Sequence, residues 1–229
     1  MTGVFVVGTD TGVGKTHVAA AIARTLVAAG HRVGAYKPVA SGFATADIAG
    51  SDARRLWEAI GRRLSCAAVC PQSFAAPIAP HRSARAEARR VDERLLRDGL
   101  SAWVGHADVI VVEGAGGLFS PLGDTTLGVD LARDFALPLV VVDAVRLGMV
   151  GRTLTTVRAA RAEGLRVAAV VLSQVLAPAA GDGPQSDRGL ARDALADLTA
   201  RLPDVPLMML EHEATVMPAG IDWHSLTRA

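Results

Sequence analysis

The chain has 229 residues, half of them apolar and 21 % charged, with a formal net charge of +1. That suffices for one α/β domain across residues 1–229 and excludes two large ones. Near-neutral charge and 4 % aromatic content leave no basic, aromatic-laced footprint for nucleic acid.

The first strand is expected at Val4–Val7. No charged leader precedes it, and no apolar run approaches the roughly 20 residues that span a bilayer. The expectation is a cytoplasmic chain with no membrane partner. After the strand, "GTDTGVGKT" (8–16) loses bulky side chains just before a helical pattern, Val18, Ile22 and Leu26, that Gly30 stops. Gly8, Gly12 and Gly14 free backbone N–H groups to form an anion nest at a helix N-terminus, where a lysine is otherwise unfavourable. Lys15 then reaches terminal phosphates and Thr16 offers its hydroxyl to Mg²⁺. The spacing departs from the usual phosphate loop, which has its first glycine at position 9; here that residue is Thr9 and the glycine is Gly8.

A second strand, Val33–Tyr36, leads into "AYKPVASG" (35–42), with Lys37 and Ser41 at a proline turn. Taken alone, Lys37 reads as a solvated strand-end lysine. Residues 40–82 look irregular, an insertion over the sheet edge. Within them Asp52 reads either as a metal ligand or as an ordinary helix cap. Cys66 and Cys70 are expected to be reduced structural thiols. His81 reads as a turn or packing residue.

Asp92 reads as the cap of a helix carrying Leu95, Leu96 and Leu100. "VIVVEGAGG" (109–117) is an all-apolar strand, Val109–Val112, that ends on Glu113. A buried strand ending in a charge is hard to explain by packing, so Glu113 is expected to position metal or water, the alternative being a structural salt bridge. Further strands are expected at Leu139–Val142, Val167–Leu172 and Pro206–Leu210, a mobile loop at 177–186, and a helix at 187–202 with Leu190, Leu195 and Leu198. Alternating β and α elements predict a mostly parallel sheet with helices on both faces, of the P-loop NTPase type. "LSQV" (172–175) lacks the lysine and aspartate of a guanine reader. Asp10 stands where partitioning-type ATPases carry an extra lysine.

Together "GTDTGVGKT", "YKPVASG" (36–42), "SDA" (51–53), "PIAPH" (77–81), "VEGAGG" (112–117) and, more loosely, "RLG" (146–148) resemble the dethiobiotin synthetase family over nearly the whole chain. The resemblance implies an ATP- and Mg²⁺-dependent closure of 7,8-diaminononanoate with CO₂ to a cyclic urea, by a homodimer. It implies catalytic roles for Lys37, Lys15, Thr11 and Ser41, and a metal shell of Thr16, Asp52 and Glu113. Nucleotide and substrate contacts carry over to Gly12, Val13, Gly14, Lys15, Thr16 and His17, to Glu113, Gly114, Ala115, Gly116 and Gly117, and to Ser173 and Gln174. Two other readings stay open, a partitioning-type nucleotide switch and an amide-forming synthetase of a cofactor pathway.

Three departures from the family pattern stand out. Arg146 replaces a lysine, and Gly151-Arg152 replaces Asn-His in the segment that holds the substrate's carboxylate tail. Arg152 reads either as a new cation for that carboxylate or as a solvated helix residue. Ser173-Gln174 replaces the asparagine that reads adenine, and Gly12 replaces a glutamate.

Overall fold

The computed structural model describes residues 1–177 and 186–228. Its main sheet has six strands in the order β2-β5-β1-β6-β7-β8, every neighbouring pair parallel. These are β1 (Thr2–Gly8), β2 (Val33–Tyr36), β5 (Val109–Gly117), β6 (Leu139–Ala144), β7 (Val167–Ser173) and β8 (Leu207–Leu210). Their unbroken β-branched runs are almost wholly buried, as a sheet covered on both faces requires.

From β1 the chain passes through α1 (Lys15–Ala28) to β2, on one side of the sheet. From β5 it passes through α6 (Gly128–Phe135), α7 (Met149–Ala162) and α8 (Asp187–Arg201) to β6, β7 and β8, in the opposite direction. Right-handed crossovers therefore put α1 on one face and α6 to α8 on the other. The reversal lies at β1 and β6, and the carboxyl ends of strands at such a point are where open α/β sheets bind ligands.

Segment 40–82 is more regular than its composition suggests. It contains β3 (Ala40–Ser41) paired in parallel with β4 (Ser73–Phe74), and the short helices α2 (Asp52–Ala59), α3 (Cys66–Val69) and the start of α4 (Pro80–Ala86). Helices this short show less than three turns of periodicity, so pattern cannot reveal them; their caps can. Ser51 accepts from the Arg54 N–H at 3.1 Å and Ser65 from that of Ala68. The cap of α2 is therefore Ser51, and Asp52 is its first helical residue. Cys66 and Cys70 are free and buried.

Asp92 does cap the next helix, its carboxylate accepting from the Arg94 and Leu95 N–H groups. That helix is only α5 (Leu95–Asp98), followed by a 3-10 turn at Gly99–Trp103. Both cover β2. Tyr36 donates its hydroxyl to the carbonyls of Leu95 and Leu96, and buried Trp103 lies against Gly34. The other observed difference is in β5, which continues beyond Glu113 to Gly117, opposite Gly8. The segment 177–186 lies outside the described residues apart from its two end positions.

A methyl group on Gly34 would stand 2.6 Å from Trp103 Cε3 and 2.8 Å from Ile110 Cδ1. Gly34→Ala should therefore cost about 1–3 kcal/mol through overpacking, seen as a lower midpoint in chemical denaturation. An unchanged midpoint would mean that Trp103 moves aside freely.

Candidate functional site

The loop between β1 and α1 is shaped by what glycine permits. Gly14 has φ +90°, and a Cβ there would lie 2.3 Å from Ser173 Oγ. A Cβ on Gly8 would meet the Asp10 carbonyl at 2.7 Å and Lys15 Nζ at 2.9 Å. The loop backbone at Asp10, which cannot move aside as the end of a lysine can, therefore restricts position 8 to glycine. Gly14 caps α1 with no side-chain hydrogen bond, and the first turn holds no acid, so the helix end retains its positive character. Lys15 Nζ donates to the Asp10 carbonyl at 2.9 Å. Burial lowers the Lys15 ammonium to about 8.

Across the sheet, β5 delivers Glu113 beside Val6 of β1, and Lys37 follows directly on β2. Lys37 Nζ lies 2.6 Å from Glu113 Oε1 and 2.8 Å from Asp52 Oδ2. Thr16 donates its hydroxyl to the same Glu113 Oε1 at 2.8 Å. Lys37 and Glu113 are 3 % and 1 % exposed. Burial alone would lower the Lys37 ammonium, yet Glu113 and Asp52 outweigh it and hold it above its ordinary value. Burial raises the Glu113 carboxyl more than Lys37 lowers it. Asp52 is also pushed up by burial, but Lys37 and Lys15 bring it below the usual range.

These groups open on one cavity of about 710 Å³. Of the sequence-derived residues, Thr11, Gly12, Gly14, Lys15, Thr16, His17, Lys37, Ser41, Asp52, Glu113, Ala115, Gly116 and Ser173 line it. Val13 is instead fully buried, and a Cβ on Gly8 would touch its Cγ2. Gly114 backs onto Phe5. Gly117 gives its N–H to Ser120 Oγ at 2.8 Å, so that N–H does not face a ligand. Gln174 is buried and its Oε1 accepts from the His212 N–H at 3.4 Å.

Arg152 follows neither sequence reading. Its guanidinium lies 3.2 Å from both carboxylate oxygens of Asp143, which is wholly buried at the end of β6. The charge is committed inside the fold. Arg146 lies 3.3 Å from Asp10 Oδ2. Gly151 is exposed, with open space where a side chain would be.

The cavity wall also includes Ala20, Arg24, Arg55, Val175, His212 and Glu213, which sequence reasoning missed. The available signals were positional. Arg24 lies two turns from His17 on α1, Arg55 one turn from Asp52 on α2, and His212-Glu213 just beyond β8.

Could the site hold Mg²⁺? Thr16, Asp52 and Glu113 offer oxygen ligands only, as Mg²⁺ prefers. Glu113 Oε2 is buried with no hydrogen-bond partner, an orphan that a cation satisfies. The residues fit the ion.

An AAA domain family matches residues 2–212. The ATP-dependent dethiobiotin synthetase BioD of Rhodopirellula baltica is 45 % identical over 186 residues, 75 % of this chain and 72 % of that one. The enzyme of the same name from Anaeromyxobacter dehalogenans (strain 2CP-C) is 42 % identical over 205 residues, covering 89 % and 88 %. That from Caulobacter vibrioides (strain NA1000 / CB15N) is 36 % identical over 221 residues, covering 96 % and 92 %.

The chain belongs to the dethiobiotin synthetase family. Similarity to the cell division protein FtsY of Thermotoga maritima, with a TM-score of 0.51 at 15 % identity over 99 % of this chain and 67 % of that one, speaks for the P-loop fold alone. Among the described residues, no helix is long and apolar enough to cross a membrane.

The Asp143–Arg152 pair yields a stability prediction. Arg152→Ala leaves a buried carboxylate without its counter-charge and should cost about 3 kcal/mol. Adding Asp143→Asn should restore part of that loss in the same denaturation assay. A single variant as stable as the parent would remove the pair from the account.

Proposed function

We propose that this chain, as one domain, uses ATP and CO₂ to close 7,8-diaminononanoate into dethiobiotin, releasing ADP and phosphate in biotin biosynthesis. The observation that carries the reading is the buried Lys37 ammonium between Glu113 and Asp52, in the same cavity as the phosphate loop. A nucleotide switch has no need of such a cation; a carbamate brought against a triphosphate does, because the two anions repel each other.

In this mechanism one amine of the diamine takes up CO₂ to form a carbamate. A carbamate oxygen attacks the γ-phosphorus of ATP and ADP leaves. The second amine then attacks the carbonyl carbon of the mixed anhydride, the ring closes and phosphate departs. Lys15 and the N–H groups of residues 12–17 hold the phosphates. An ammonium has three N–H donors. Two of those on Lys37 face carboxylates, and the third serves the carbamate and the developing anhydride. Thr11 and Ser41 hydrogen-bond phosphate or substrate, and Ala115 and Gly116 border the substrate side. Ser173, with a buried and unpartnered hydroxyl, belongs to the nucleotide end.

Thr16, Asp52 and Glu113 would hold Mg²⁺, which supplies charge neutralisation at the phosphates. The family resemblance further supports a homodimer, acting in the cytoplasm. Arg152, which holds Asp143, is not assigned to the substrate's carboxylate tail.

The decisive experiment is phosphate release from Mg·ATP with and without diaminononanoate and bicarbonate, with mass detection of the cyclic urea. Product and phosphate should both require the diamine; binding of nucleotide without diamine-dependent turnover would overturn the reading. Lys37→Ala should keep nucleotide binding and lose turnover by about 10²–10³-fold, the scale for removing one electrostatic donor at a reacting oxygen. Chelating divalent cations should abolish turnover, and Mg²⁺ should restore it.

A further inference from the structure

The cavity carries four basic side chains of the Lys/Arg type, Lys15, Arg24, Lys37 and Arg55. Three are engaged. Lys15 bonds the Asp10 carbonyl, Lys37 both carboxylates, and Arg24 Nη1 the Thr215 carbonyl at 3.5 Å. Among the described residues, the Arg55 guanidinium has no hydrogen-bond or ion-pair partner. Its neighbour Arg54 is tied down twice, to Asp47 at 2.9 Å and Glu58 at 3.0 Å, and stacks over Trp57. Adjacent arginines on one helix thus have different employment, and only the free one faces the cavity.

Helix geometry directs that free charge. Arg55 stands three residues after Asp52 on α2, so both share a face. Helical side chains lean toward the helix N-terminus, which here is the end that presents Asp52 to Lys37. Arg55 therefore leans toward the group proposed to receive the carbamate and the transferred phosphate. The charge count points the same way. Inside the site, Lys15 and Lys37 are matched by Asp52 and Glu113, so the protein offers a triphosphate and a carbamate little net positive charge. Of the four cavity cations, Arg55 is the one that, among the described residues, has no partner of any kind, whereas Arg24 is held by the Thr215 carbonyl.

We propose that Arg55 is a further catalytic residue, contacting the γ-phosphoryl group during its transfer to the carbamate oxygen. The proposal rests on the cyclo-ligase reading above. A guanidinium suits the role because its planar fork meets two phosphoryl oxygens at once, and its contact grows in value as charge spreads over them.

The test uses the full-length enzyme and compares wild type with Arg55→Ala, Arg55→Lys and Arg54→Ala. Arg55 is exposed and removing its side chain breaks no hydrogen bond or ion pair among the described residues, so Arg55→Ala should stay folded. Diamine-dependent phosphate release by Arg55→Ala should fall about 10²-fold or more in kcat, while ADP binding, measured directly, changes by less than about threefold. Guanidinium ion at millimolar concentration should recover part of the lost rate in Arg55→Ala. Arg55→Lys, with charge but no fork, should fall between alanine and wild type. Arg54→Ala, an equal loss of charge on the same helix, should stay within about threefold of wild type.

The proposal is overturned if Arg55→Ala turns over like wild type, or if Arg54→Ala loses as much. It is also overturned if Arg55→Ala weakens ADP and ATP binding equally with kcat unchanged. Absence of product from wild type would instead overturn the cyclo-ligase reading, so the two failures are distinguishable.

Discussion

Glu113 is a carboxylate buried in the middle of β5, and the site is organised around offsetting it. Lys37 and Thr16 both direct hydrogen to its Oε1, and Asp52 shares the lysine. Each partner comes from a different element, so the interaction links β2, β5, α1 and α2 at the carboxyl end of the sheet. Coulomb attraction in a poorly screened interior is strong, but so is the cost of removing charges from water. Such an arrangement is weak evidence for stability and better evidence for a task. Its unsatisfied Oε2 points the same way, since a fold selected for stability alone has no use for a buried acceptor without a donor.

Strand order explains how residues so far apart in sequence meet. With β1 and β5 adjacent and β2 outside β5, the ends of all three strands open on one place. The phosphate loop closes it from the β1 side and α2 from the β2 side. The turn of direction at β1 and β6 leaves a crevice there because helices diverge to opposite faces. The covering of β2 by α5 and Trp103 then matters to function as well as packing, because it fixes the strand on which Lys37 depends.

The parts of this design that sequence makes legible are those with short-range signatures. The all-apolar strands announce a parallel sheet, and Gly8, Gly14 and Lys15 announce the phosphate loop within nine residues. Glu113 stands out on its own as a charge on an apolar strand, whereas Lys37 and Asp52 are recognisable only through the family's ordered motifs, since singly they resemble a solvated strand end and a helix cap. What sequence does not disclose is which side chain pairs with which group. Nothing near Arg152 indicates that its partner is Asp143, nine residues back at a strand end, and nothing near Gly117 indicates that Ser120 takes its N–H. The arginines at 24 and 55 escape notice for another reason. Charged residues on amphipathic helices are commonplace, and only the fold tells which of them border a cavity.

Arg152 also bears on how the charge of the site is kept local. Asp143 ends β6 beside β7, whose next pair in register is Ala144 with Ser173, and Ser173 faces the phosphate loop. An unpaired carboxylate there would oppose the binding of any polyphosphate nearby, since repulsion in a low-dielectric surrounding is poorly screened. Arg152 supplies its counter-charge, and the Ala144 N–H donates to it at 2.8 Å. The cost is that this arginine is not available to an incoming carboxylate. Arg152 is thus engaged by Asp143, leaving the balance in the cavity to Lys15, Arg24, Lys37 and Arg55 against Asp52, Glu113 and Glu213.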